Sequence, residues 1–177
     1  SISLPGGSFI QQADIQELHI ITNLNTPYVQ AVLKIRATSR IRLNDNIAIH
    51  LYNNSSFFRK LDFKVHTIEK ENQTTATPTM HYTLGLKSAF LYNQNTKSKA
   101  YYGTVSEITR ELIATESNFI SKIDIESTTE DPGIRYRLDE NPIPFLQRIK
   151  KYAVVEDSDT KLYMTTDEKL HLLSTKK

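Results

Sequence analysis

Between residues 28 and 86, apolar side chains recur at every second position in four separate stretches. This period constrains the chain more than any other feature. Val29, Ala31, Leu33 and Ile35 form one set, and Ile47, Ile49 and Leu51 a second. Leu61, Phe63 and Val65 form a third, and Tyr82, Leu84 and Leu86 a fourth. Successive side chains of a strand point to opposite faces, so each stretch reads as a strand with one dry and one wet side. Leu18 and Ile20 open the series with an earlier strand. Turn-forming clusters separate the stretches: Asn23-Leu24-Asn25-Thr26-Pro27, Asn44-Asp45-Asn46 and Asn53-Asn54-Ser55-Ser56. Residues 69–79, polar and containing Pro78, read as an exposed loop between two long strands. Five or six strands on short polar turns predict an antiparallel sheet closed into a small barrel or sandwich, because closure removes sticky edges.

The last third is built differently. Residues 88–103 form a polar bridge ending in Tyr101-Tyr102-Gly103. Thr104 and Glu107 then have the spacing of a capping box, and Val105, Ile108 and Leu112 give the helix behind it one apolar face. Ile120, Ile123 and Ile125 suggest a short strand, and residues 128–133 a loop. Asn141 reads as the cap of a second helix, with Pro142 at the position where a missing N–H costs least. Phe145 and Ile149 supply its apolar side. A hairpin follows: Ala153-Val154-Val155, Lys161-Leu162-Tyr163-Met164 and Leu170-His171-Leu172-Leu173. The predicted class is therefore α+β, an N-terminal antiparallel β-barrel followed by a smaller α+β domain of two helices and a hairpin. Its expected divisions are an arm over residues 1–13, a barrel over 14–100 and a docking domain over 101–177.

Composition excludes several kinds of chemistry. Net charge is +2 from 22 basic and 20 acidic residues, which gives no general reason to bind nucleic acid. Arg36, Arg40 and Arg42 cluster near one turn, and Lys87, Lys97 and Lys99 near another, as solvated turn charges would. Cysteine is absent, which removes disulfides, thiolate nucleophiles and Cys-based zinc sites. No apolar run approaches the roughly 18 residues of a membrane span. The first residues have no signal-peptide pattern, and the opening Ser1 suggests a whole gene product from which an initiator Met was removed.

No catalytic motif emerges. His19, His50, His66, His81 and His171 show no metal-binding spacing, and the five glycines form no phosphate-binding loop. Glu156, Asp157 and Asp159 lack the glycine and terminal glutamate of a calcium loop and read as a solvated turn. Asp124 and Glu126 share a strand face as paired carboxylates would, without an aromatic cleft beside them. Tyr92, Tyr101 and Tyr102 near Lys97 and Lys99 suit either base stacking or a domain junction. No catalytic, cofactor-binding or metal residue is assigned, and the chain reads as a non-enzyme.

The order of parts resembles the tail-hub proteins of contractile phages and related injection machines, including the late-control D proteins and the N-terminal part of type VI secretion spikes. The matching positions are Thr104, Val105 and Ile108; Phe145, Leu146 and Arg148; and Lys169, Leu170 and Leu172. Full hubs continue into a second barrel, whereas this sequence stops at Lys177, so it looks like a first barrel plus the intermediate domain. That pattern fits a distal hub subunit of a T-even-like phage, or a hub whose second half is a separate chain. The resemblance implies a structural part of a tail baseplate hub, connecting tail tube to central spike or adapter. It would be assembled in the host cytoplasm and located in the virion. Implied partners are other hub or tail-tube proteins and further copies of the chain, a trimer included, with no specific nucleic acid. The expected contacts are the barrel edges and five residues: Phe9, Ile10, Tyr101, Tyr102 and Phe145. The alternative is a ligand-binding β-barrel module for single-stranded nucleic acid or polysaccharide, and a weaker one is a peptidoglycan-active enzyme.

Overall fold

The computed structural model describes residues 1–53, 56–72, 79–92, 96–116, 120, 122–129, 131–155 and 158–174. They divide into two compact units, the first made of residues 1–21 and 30–92, the second of residues 22–29 and 93–177. Among the described residues, no helix is long and apolar enough to cross a membrane.

The first unit is built on one seven-stranded sheet. In chain order its strands are β1 (Ile2–Ser3), β2 (Phe9–Ile10), β3 (Ile15–Asn23), β4 (Thr26–Ala37), β5 (Asn46–Asn53), β6 (Ser56–Asn72) and β7 (Met80–Ser88). Their spatial order is β2-β1-β5-β6-β7-β4-β3. Each alternating stretch puts its apolar set on the same side: Leu33 and Ile35, Ile47 and Ile49, Leu61 and Phe63, and Leu84 and Leu86 are all buried. A sheet with one dry face needs a cover, and no α-helix lies among the described residues of this unit. The sheet therefore curls, as a half-barrel. Two one-residue bulges assist the bend. Leu51 pairs with Arg59 but Tyr52 with Phe57, and Val65 pairs with Leu86 but Thr67 with Gly85. The seven strands form an open series, and no ladder joins β2 to β3 among the described residues.

One expectation needs correction here. The polar stretch after Ile68 does not leave the sheet at once. Residues 69–72 continue β6, pairing Glu69 with Thr83 and Asn72 with Met80. Ladder bonds are main-chain bonds, so polar side chains do not end a strand whose partner continues; residues 73–78, with Pro78, lie outside the described residues. The N-terminal arm adds to the sheet of its own chain. Ile2 pairs with Ile49 and with Ile10, while Ile2, Leu4 and Ile10 are buried.

The second unit contains β8 (Lys97–Gly103), α1 (Val105–Thr115), β9 (Lys122–Ile125), β10 (Gly133–Glu140) and α2 (Pro142–Ile149). It closes with β11 (Val154–Val155), β12 (Ser158–Met164) and β13 (Lys169–Ser174). β8 and β10 form a two-stranded ribbon, and β11-β12-β13-β9 a four-stranded sheet in which β9 runs parallel to β13. The predicted polar bridge is thus partly a strand, because residues 133–140, unassigned from sequence, pair with it. Gly103 turns the chain into α1 at φ +119°, a conformation that side chains rarely adopt.

The start of α1 is fully tied. Glu107 N–H donates to Thr104 Oγ1 (3.3 Å) and the Glu107 carboxylate accepts from Thr104 N–H (2.8 Å), completing the expected box. Val105 N–H donates to Asp131 (2.9 Å) and Ser106 N–H to Thr128 Oγ1 (3.1 Å). Asn141 does not cap α2 through its side chain; its Oδ1 is buried without a hydrogen-bond partner among the described residues. Pro142 and Pro144 both lack an N–H, so the first turn of α2 offers that side chain few donors. Thr104→Ala should therefore lower stability by about 1 kcal/mol. Asn141→Ala should change it by less than about 0.5 kcal/mol. Urea unfolding of both variants checks the contrast; equal losses would restore Asn141 as a cap.

Candidate interaction surface

β10, Gly-Ile-Arg-Tyr-Arg-Leu-Asp-Glu, alternates apolar residues with arginines, and the fold turns the arginine side inward. Ile134 pairs with Tyr102, Arg135 with Tyr101, Tyr136 with Ala100 and Arg137 with Lys99. Arg137 is 0% exposed. On the opposite face Ile134, Tyr136, Leu138 and Tyr102 are 47%, 56%, 71% and 69% exposed. A strand half-covered by core normally shows the reverse pattern.

Electrostatics explain the inversion. Arg137 Nη1 lies 3.3 Å from the Glu116 carboxylate at the end of α1, and its Nε donates to Glu140 O (2.5 Å). Lys97 donates to the same Glu116 oxygen at 2.7 Å. Burial pushes the Glu116 carboxyl up, but bonding and charge from Lys97 and Arg137 outweigh it and hold the group below its ordinary value. A buried guanidinium without such partners would be prohibitively costly, so the pairing fixes which side of β10 faces the core. One extra residue between Arg137 and Glu140, with Asp139 at φ 45°, bends the end of the strand.

Beside β10 runs a cleft of about 490 Å³. Ile134, Tyr136 and Leu138 line it from one face of the strand and Arg135 from the other, with Arg148 and Tyr152 opposite. None of the lining residues belongs to β8. A cavity that touches both faces of a strand but not its ladder partner lies along the strand's free edge. Arg148 donates to Tyr136 O (2.7 Å) and to Glu140 (2.8 Å). The Arg135 guanidinium sits 4.5 Å from the centre of the Tyr152 ring.

Of the five residues expected from sequence, Phe9 and Tyr102 are exposed. Ile10, Tyr101 and Phe145 are buried, the last two packed with ring centres 5.3 Å apart, so they support the fold and offer no contact surface in this chain. Ile134, Tyr136 and Leu138 were missed. Their signal, period 2 over Ile-x-Tyr-x-Leu, was present, but the intervening arginines look like the solvent side. Asp124 contacts Lys169 (3.1 Å) and His171 (3.3 Å), and the hydrogen bond from Lys169 leads in holding its carboxyl below the usual range. Glu126 accepts from Ser174 N–H (2.6 Å). Both carboxylates thus serve the β9–β13 pairing. Lys99 donates to Glu111 (2.6 Å) and lies over the Tyr101 ring, which occupies the pair expected to stack on bases. The histidines all lie on strands: His19 contacts Glu17, His50 contacts Ser3, His66 contacts Lys87 and His81 contacts Gln16. No three His, Asp or Glu side chains converge as metal ligands would, among the described residues. Glu156 and Asp157 lie outside them.

No protein-family model matches this sequence, and no curated protein matches it. Solved structures do. A tail protein from Neisseria meningitidis MC58 aligns over 97% of the chain at TM-score 0.53 and 12% identity. The prophage tail protein gp18 from Listeria monocytogenes EGD-e aligns over 97% at 0.54 and 9%. The E. coli c3393 protein aligns over 97% at 0.51 and 11%; it is described as a type VI secretion component with structural similarity to the T4 tail proteins gp27 and gp5. The chain spans about half the length of these proteins, 49%, 49% and 48% respectively. At such identities the likeness is one of fold, and it agrees at that level with the tail-hub resemblance read from the sequence.

Glu116→Gln should cost about 3 kcal/mol at pH 7, because it leaves Arg137 buried without its carboxylate. The folded Glu116 titrates below its unfolded value, so its contribution is present above that value and lost as pH falls through the folded one. The gap between wild type and variant in urea unfolding should therefore shrink from pH 7 towards pH 3. A gap independent of pH would contradict the account.

Proposed function

We propose that this chain is a structural part of a tail baseplate hub, joining the tail tube to the central spike or adapter during tail assembly. One observation carries the reading: three tail or type VI secretion proteins superpose on 97% of the chain, so the likeness spans both units in sequence order. A common element such as a β-hairpin would not produce that coverage. The surface chemistry suits the role. The strongest non-core features are apolar side chains held outward on the β8–β10 ribbon and the outer strands β2 and β3 of the open sheet. Such features act by contact. On this reading the chain contacts other hub or tail-tube proteins and further copies of itself, a trimer being the arrangement implied by the hub resemblance. Its place is the virion tail, reached by assembly in the host cytoplasm, and its work needs no catalytic group.

The test is to tag the chain, express it in cells producing the tails, and purify the particles. The expected result is a fixed ratio of this chain to tail-tube protein and density for it at the distal end in electron cryomicroscopy. Its absence from purified tails would overturn the proposal. Salt-sensitive binding to single-stranded nucleic acid or to a polysaccharide by chain free of tails would then favour a ligand-binding module.

A further inference from the structure

We propose that the free edge of β10 is a docking groove for an extended apolar and acidic segment of a partner protein, which joins the ribbon as a third strand. This inference is independent of the tail reading. It starts from the position of the cleft, which follows β10 on the side away from β8 and is bounded opposite by Arg148 and Tyr152. In the sheet order β10 has β8 as its one neighbour, so its second edge carries main-chain groups with no ladder partner among the described residues. Exposed strand edges accept extended chains through those groups, while side-chain pockets choose the sequence. Here the pocket walls are Ile134, Tyr136, Leu138 and Tyr152, which suit apolar side chains at alternate positions.

Charge selects the occupant. Of the two arginines in the cleft, Arg148 has a carboxylate in Glu140 at 2.8 Å. Arg135 has none among the described residues. Its terminal nitrogens reach carbonyls of Ile134 and Asp131 at 3.3 and 3.4 Å, and its Nε is buried without a hydrogen-bond partner. A guanidinium held by two carbonyls and a ring, with no carboxylate, favours a segment that brings one, since a charged pair shielded from water is stronger than one in solvent. A second copy fits less well. Isologous pairing of two β10 edges would bring Arg135 and Arg148 of one copy towards those of the other, with Glu140 already engaged by Arg148. Arg148, bonded to Tyr136 O, guards the edge of the free chain and would give up that carbonyl to the incoming strand.

The test uses the full chain and a fluorescent nine-residue peptide alternating Val and Glu, read by anisotropy. The Glu peptide should bind, a Val–Lys counterpart at least ten-fold more weakly, and a fully N-methylated Glu peptide, which cannot donate to a ladder, also at least ten-fold more weakly. Leu138→Ser, a change at an exposed side chain, should weaken the Glu peptide at least five-fold with an unchanged circular dichroism spectrum. Arg135→Gln should abolish the preference for Glu over Lys. Four results would each overturn the proposal: no binding at millimolar peptide, equal affinity for the Glu and Lys peptides, or indifference to N-methylation. The fourth is self-association of the chain that Leu138→Ser removes, which would assign the face to a second copy.

Discussion

The ion pair between Arg137 and Glu116 decides the orientation of a whole strand. A strand that alternates apolar and basic residues could in principle present either set to the core. Burial of the apolar set would bring roughly 1.5–3 kcal/mol for each large side chain fully covered. That gain is forgone here at Ile134, Tyr136 and Leu138, which stay exposed. What opposes it is a guanidinium with a fixed carboxylate at the end of α1, a second cation from Lys97 on the same oxygen, and a main-chain acceptor at Glu140. The pairing serves orientation more than stability, the use best attested for buried ion pairs. Once Arg137 is inside, the outward apolar stripe and the cleft beside it follow from the pleat.

The first unit solves a different problem. Its alternating strands yield one continuous dry face, with no α-helix among the unit's described residues to cover it. Curling and the two bulges let the sheet shield that face by itself, and β1 and β2 occupy the edge next to β5. The N-terminal segment is thus part of the core: the Ser1 amine donates to His50 O (3.1 Å), and Ile2 is buried.

Much of this was legible in the residues. The alternating sets at Leu33, Ile49, Phe63 and Leu84 name their strands and their buried side, and the capping box at Thr104 names the start of α1. Three things were not legible, two of them because a partner strand decides the outcome. Residues 69–72 remain strand because β7 continues beside them. Residues 97–103 become strand because β10 pairs with them. Asn141 has the residue type of a cap but forms no cap bond. The interaction surface was hidden most thoroughly, since its outward apolar residues are betrayed only by knowing that Arg137 is buried. Tyr101 and Phe145, the conspicuous aromatics, were claimed by the core.

On the proposed reading, the apolar face held outward by the buried ion pair is a surface where the chain meets other tail components. The absence of cysteine from the chain offers a direct probe of that face. In Leu138→Cys, the single thiol reports on the ribbon in the free chain and in purified tails. The account predicts rapid maleimide labelling of the free chain and strong protection in the tails. Equal labelling in both would contradict the claim that this surface is used in assembly.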